Sequence, residues 1–376
     1  MTNPAVTKTN APDWNFLIET IREGKCILLL GPGIIKVDNG TLENSLLKYL
    51  DVPNEENIVK YYTPDELFLF KDRAAQTKVY YKIKKFYANA NVKRDIYKNI
   101  TKIPFHLIIS TSPDIYLTEE FNKEKFKHRF EVYDKTKAPA NIAPPTQSNP
   151  VIYNLFGCTD SEESLVLTHN DLFDFLQAVI GDKNLPTDIL NTFKSARGVI
   201  FLGCKFEKWY VQLVLRLLKL HNEYFDQVSK YSAKMELNGN LEIEDLCKAQ
   251  FAIDFIDDDV EKFIETLCEN CLAENLLRKE EAKQPELSEF DKVRFLIGQD
   301  KIADVFKSLW DIVKNDDDLN DLTDTLTFLN VKFNRLEYRK NNGMMEPAAI
   351  ESEVTNIINS ILNFISSINN SRKPIL

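Results

Sequence analysis

The stretch CILLLGPGII, residues 26–35, is a five-residue apolar run cut off by Gly31, Pro32 and Gly33. A run this short, bounded by turn residues, has the length of a strand buried on both faces and is too short for a buried helix. Ahead of it, WNFLIETIRE (14–23) carries apolar residues at helical spacing and ends at Gly24, so the unit reads helix, buried strand, tight turn. The apolar run, the turn and the helix recur in IPFHLIISTSPDIYLTEEF (103–121), in VIYNLFG (151–157) ahead of SLVLTHNDLFDFLQAVIG (164–181), in ARGVIFLGCKFEKWYVQLVLRLLKL (196–220) and in QFAIDFIDDDVEKFIETLCENCL (250–272). Thr168 and Asp171 form the start signal of the helix in the third unit. Such alternation predicts an α/β fold: a Rossmann-like parallel sheet covered by helices on both faces, with ligands at the carboxyl ends of the strands.

Three segments fall outside this rhythm. PDELFLFKDRAAQTKVYYKIKKFY (64–87) predicts one helix begun by Thr63 or Pro64, with Lys78, Lys82, Lys84 and Lys85 on a solvated face. KHRFEVYDKTKAPANIAPPTQSNP (127–150) is polar and proline-rich, and predicts an extended excursion rather than a core element. RKEEAKQPEL (278–287) predicts a linker, after which residues 288–376 hold only helical patterns. The expected organisation is therefore a nucleotide-binding domain over 1–277, a linker over 278–287 and an all-α helical domain over 288–376.

With 376 residues and 44% hydrophobic side chains, the chain can fill two or three cores. A formal net charge of -10 argues against a surface for nucleic acid. No run reaches the roughly 18 apolar residues of a spanning helix, and the first residues carry no apolar signal region, so a cytoplasmic protein without a membrane partner is expected. Six cysteines lie mostly in apolar runs, as reduced thiols do. Cys268 and Cys271 share one helical face but have no second ligand pair, so no metal site is expected.

Four strand ends present turns that could carry chemistry: GPG (31–33), STSPD (110–114), NLFG (154–157) and GCKF (203–206). Each alone is also the ordinary turn leaving a buried strand. Their order and spacing, over residues 14–275, resemble the sirtuin-like family in its bacterial antiphage defence branch. There the strands end in Gly-Ala-Gly, Thr-Thr-Asn-x-Asp, Leu-His-Gly and Leu-Gly-x-x-Phe.

The resemblance implies NAD or an ADP-ribose-like nucleotide as ligand, with Gly31, Pro32, Gly33, Ser112, Asp114, Phe156 and Gly203 at its site. Backbone N–H groups of the first turn would face a pyrophosphate, although Pro32 removes one donor. The family's asparagine and histidine positions are Ser112 and Phe156 here. A phenyl ring accepts no proton, and general-base help is worth about a hundred- to ten-thousand-fold, so a catalytically degenerate sensor or scaffold is expected. The alternative is an active NAD hydrolase that depletes cellular NAD and uses another base. His169 and His128 are the histidines best placed to supply one, whereas His106 and His221 read as structural. Asp114 either holds a ribose hydroxyl or caps the following helix. The family's deacetylase branch carries a four-cysteine zinc module whose spacing is missing here.

The last segment resembles an effector-associated domain, a helical adaptor of bacterial conflict systems, through FNRLE (Asn334, Arg335, Glu337) and the Lys340-x-x-Gly343 turn. This implies a partner protein bound through a like module, or a homo-oligomer; a plain helical cap is the alternative.

Overall fold

In this computed structural model the described residues are 12–37, 40–138, 142–181, 184–221, 228–233, 237, 239–279, 293, 296–297, 302–314, 322–342 and 344–371. The chain divides into two compact units, Met1–Glu281 and Ala282–Leu376.

The first unit is built on a seven-stranded parallel sheet: β1 (Cys26–Leu30), β4 (Leu107–Ser110), β5 (Arg129–Val132), β6 (Val151–Asn154), β7 (Gly198–Leu202), β8 (Ser229–Ala233) and β9 (Ile253–Ile256), in the spatial order β5-β6-β4-β1-β7-β8-β9. Every residue of β1, β4, β6 and β7 is buried, which is why these strands read as apolar runs, with Ser110 and Asn154 as polar residues at the ends of β4 and β6. One face of the sheet packs Leu28, Leu30, Ile108 and Ile200 against helices that include Trp14–Arg22 and Val260–Ala273. The other face packs Ile27, Leu29, Val199 and Phe201 against helices that include His169–Ile180 and Trp209–Leu217. The alternation of neighbouring side chains between two cores is the pleat of a strand covered on both sides.

Residues 64–87 correct the single-helix reading. Ile58–Tyr62 (β2) and Leu67–Phe70 (β3) form an antiparallel hairpin, and the helix starts only at Arg73, where the Asp72 carboxylate accepts the N–H of Ala75 at 2.8 Å. Leu67, Phe68 and Phe70 are buried while Leu69 is exposed, a strand pattern hidden in a short apolar run. The proline-rich excursion also differs from expectation, since its Arg129–Val132 pairs with β6 as the outermost strand. At the end of this unit, Arg278 is part of the fold. Its guanidinium donates to the carbonyls of Thr101, Ile103, Phe105 and Gln147. Residues 280–287 of the expected linker lie outside the described residues.

The second unit contains helices Ile302–Lys314, Thr323–Asn341 and Pro347–Ser371, with Leu309, Leu326, Leu336, Ile361 and Ile365 in a core of their own. Phe328, Val331, Arg335 and Tyr338 follow one another at i, i+3, i+7 and i+10 of the middle helix and are exposed. No helix among the described residues is long and apolar enough to cross a membrane.

Candidate functional site

The turns after β1, β4, β6 and β7, the four adjacent central strands, converge on one cavity of about 220 Å³. Pro32 and Gly33, Thr111 and Pro113, Phe156, and Lys205 are their contributions. The position is where open parallel sheets hold ligands, at the carboxyl edge beside a reversal of strand order. The hairpin and the helix Leu42–Leu50 close the opposite wall with Tyr61, Glu66, Phe68, Glu43 and Leu46.

The GPG turn lies flat against the turn after β7. The Gly31 N–H donates to Leu202 O at 2.8 Å and the Gly33 N–H to Gly203 O at 3.0 Å. Pro32 has no N–H, so no amide of the three faces the cavity. The glycines serve instead to let two backbones touch: a Cβ on Gly31 would meet the Gly203 carbonyl at 2.1 Å, and Gly203 itself has φ of +69°. Only Pro32–Ile34 coil as a 3-10 turn here, which leaves no helix dipole aimed at a phosphate.

The STSPD segment bends after β4 and sends its side chains to two sides. Thr111 and Pro113 face the cavity, whereas Ser112 and Asp114 line a separate small space of about 10 Å³, room for roughly one water. Both are buried, the Ser112 hydroxyl donates to the Asp114 carboxylate, and Asp114 Oδ1 accepts the Tyr116 N–H at 2.9 Å. Burial pushes the Asp114 carboxyl up, against the lowering effect of those two donors. Asn154, at the end of β6, donates to the carbonyls of Ser112 (3.2 Å) and Asp114 (3.0 Å). This Ser112–Asp114–Asn154 cluster fixes the turn at the head of the helix Tyr116–Lys123. Of the residues expected at the site, Pro32, Gly33 and Phe156 line the cavity; Gly31, Ser112, Asp114 and Gly203 do not.

Phe156 lies edge-on to Phe175 (centroids 5.0 Å apart) and to Tyr210 (5.7 Å), so the ring is fixed within an aromatic wall. Neither candidate histidine reaches it. His169 Nε2 lies 3.0 Å from Asp65 Oδ2 in the hairpin, and His128 Nδ1 lies 3.2 Å from Phe126 O beside the Phe121 ring. Neither lines the cavity.

The polar wall was not foreseen from the sequence. Lys205 Nζ donates to Glu43 Oε2 at 3.0 Å and to Glu66 Oε2 at 2.5 Å, Tyr61 donates its hydroxyl to Glu43 Oε1 at 2.5 Å, and Lys208 Nζ lies 2.8 Å from Glu66 Oε1. Burial alone would raise the Glu43 carboxyl, but Tyr61 and Lys205 outweigh it and hold it below the usual carboxylate range. Burial would likewise lower the Lys205 ammonium, but Glu66 and Glu43 raise it. Two carboxylates therefore face two ammoniums, and the wall is neutral overall. Lys205 is the one cation among the described residues lining the cavity.

Residues 106–245 match the family model of the SIR2-like domain, a span that begins just before β4 and excludes the GPG turn. Residues 288–369 match effector-associated domain 11. The chain thus carries a SIR2-like domain on a Rossmann-like parallel sheet, followed by a helical effector-associated domain. No curated protein matches the sequence.

Proposed function

We propose that this chain is a nucleotide sensor or scaffold of a bacterial antiphage defence system: its SIR2-like domain binds an NAD-type nucleotide without efficient cleavage, and its effector-associated domain pairs with a partner. The observation that carries the reading is the cavity wall itself. By the resemblance, Phe156 stands at the family's histidine position, and its ring lies edge-on to two other aromatic rings. The carboxylates that face the cavity, Glu43 and Glu66, already accept from Lys205, so neither offers the unpaired basicity that attack at a ribose requires.

Partner pairing is supported by the exposed stripe of the second unit. Arg335 carries no ion pair among the described residues, and Glu337 bonds Lys340 at 3.2 Å instead. Gly343 of the Lys-x-x-Gly turn lies outside the described residues. A solvent-facing guanidinium flanked by Val331 and Tyr338 has the composition of an interface anchor.

Incubation of the full chain with NAD tests the proposal. Nicotinamide release should stay at the uncatalysed background, while turnover near about 1 s⁻¹, within the range of working enzymes, would establish the hydrolase alternative.

A further inference from the structure

We infer that the cavity takes the base of its ligand and excludes the phosphates: Glu43, Lys205 and Glu66 recognise a flat nitrogen heterocycle that presents an N–H donor beside an acceptor. The inference rests on the nucleotide-binding reading above and assigns which part of the nucleotide enters.

Size argues first. At about 220 Å³ the space falls below the roughly 300–1,000 Å³ of pockets that enclose drug-sized ligands, so it holds one ring system rather than a whole dinucleotide. Its surface argues the same way. Tyr61, Phe68, Tyr87, Phe156 and Tyr210 all contribute aromatic faces or edges, which suit a planar π system.

Charge excludes the alternative. A pyrophosphate would need cations or free N–H groups, yet the N–H groups of Gly31 and Gly33 are bonded to Leu202 and Gly203. Lys205 sits between two carboxylates, with only about a quarter of its side chain exposed. Drawing its ammonium onto a phosphate would leave Glu43 partly buried with only the Tyr61 hydroxyl, leave Glu66 with Lys208 alone, and set both carboxylates against a dianion, which is unfavourable.

Hydrogen bonding then selects the ligand. Each carboxylate oxygen accepts more than one donor, and an ammonium has three protons, of which Glu43 and Glu66 take two. The wall therefore offers spare acceptor capacity next to one remaining donor. That pair complements an amino group beside a ring nitrogen, as on adenine, and equally a carboxamide on a pyridine ring.

Calorimetry on the full chain with adenosine, nicotinamide, purine riboside, inorganic pyrophosphate and ADP-ribose tests the assignment. Either adenosine should bind with an affinity close to that of ADP-ribose, or nicotinamide should bind by itself, and which of the two does so names the source of the ring. If adenosine is the ligand, purine riboside, which lacks the amino group, should bind at least ~10-fold more weakly, the usual loss when a hydrogen bond to a charged group disappears. Glu43→Gln, checked for an unchanged far-ultraviolet spectrum, should weaken binding by about the same ~10-fold factor, and Leu47→Trp should abolish it by filling the cavity. Binding of ADP-ribose with none of adenosine or nicotinamide, competition by pyrophosphate, or full affinity in Glu43→Gln would overturn the inference while leaving nucleotide binding intact. Silence for all five ligands would remove both.

Discussion

A Cβ on Gly31 would stand 2.1 Å from the carbonyl oxygen of Gly203, so the turns leaving β1 and β7 touch backbone to backbone. These positions act on folding before they act on any ligand. Gly31→Ala should lower stability by about 2 kcal/mol or more, because the opposing atoms are main chain and cannot swing away. Gly33→Ala, whose Cβ would meet the same oxygen at 2.9 Å, should cost visibly less. Urea midpoints of the two variants check the order, and equal midpoints would mean that the turns separate at little cost.

Truncating the ring of Phe156 should open the cavity toward Phe175 and Tyr210. Phe156→Ala is expected to cost about 3 kcal/mol, with Phe156→Leu recovering most of it. Thermal unfolding monitored by tyrosine and tryptophan fluorescence measures both, and a neutral Phe156→Ala would place the ring outside the core.

The hairpin is held at its tip by Asp65, which meets His169 at 3.0 Å and the Trp209 indole at 3.2 Å. The His169 contact comes first among the causes that keep the Asp65 carboxyl low. Asp65→Ala should speed amide hydrogen exchange across residues 58–70 by about tenfold or more while the sheet strands keep their protection. Uniform acceleration throughout the first unit would show that the tip is not a local fastening.

His106 makes a pH-dependent contribution. Burial drives its imidazole down to about 4, against a smaller raising effect of its backbone bond with Cys26. The unfolded chain takes up that proton near pH 6.5, so this contribution is complete above 6.5 and is lost as pH falls toward 4, by up to about 3 kcal/mol. His106→Asn should flatten the stability profile between pH 6.5 and 4; an unchanged profile would assign the acid limb to other groups.

Reversal of charge at Arg335 separates binding from folding in the second unit. The residue is exposed, and exposed charges contribute about 0–1 kcal/mol, so Arg335→Glu should leave the melting temperature nearly unchanged while abolishing capture of a partner carrying a like module. A large drop in melting temperature would mark Arg335 as structural.

The central strands were legible because a strand covered on both faces is mostly apolar, and in β1, β4, β6 and β7 the polar residues Ser110 and Asn154 come only at strand ends. β8 escaped notice because SKYSA contains serine and lysine although it lies between two other strands, and β5 because RFEV is short, charged and only half-buried. Only the second strand of the hairpin falls within the expected helix, since no turn residue separates LFLF from Lys71; the Asp72 cap was the signal that could have divided them. At the cavity, Phe156 was within reach of the sequence because it follows a readable strand by two residues. Glu43, Glu66 and Lys205 meet only after the chain has folded, and nothing in their local spacing announces an ion-pair cluster. Ser112 and Asp114 enter the site by resemblance; in the fold they face the small space beside Asn154, while Thr111 and Pro113 line the larger cavity.

The sheet stops at β5 on one side and β9 on the other, each only four residues long. Arg129 and Glu131 stand on the first, and Asp254 is exposed on the second. Borders this short and charged give an incoming strand little to extend. Growth of assemblies by continuing the sheet from molecule to molecule is therefore disfavoured, which leaves contacts through side chains, where a single substitution can uncouple one copy from the next.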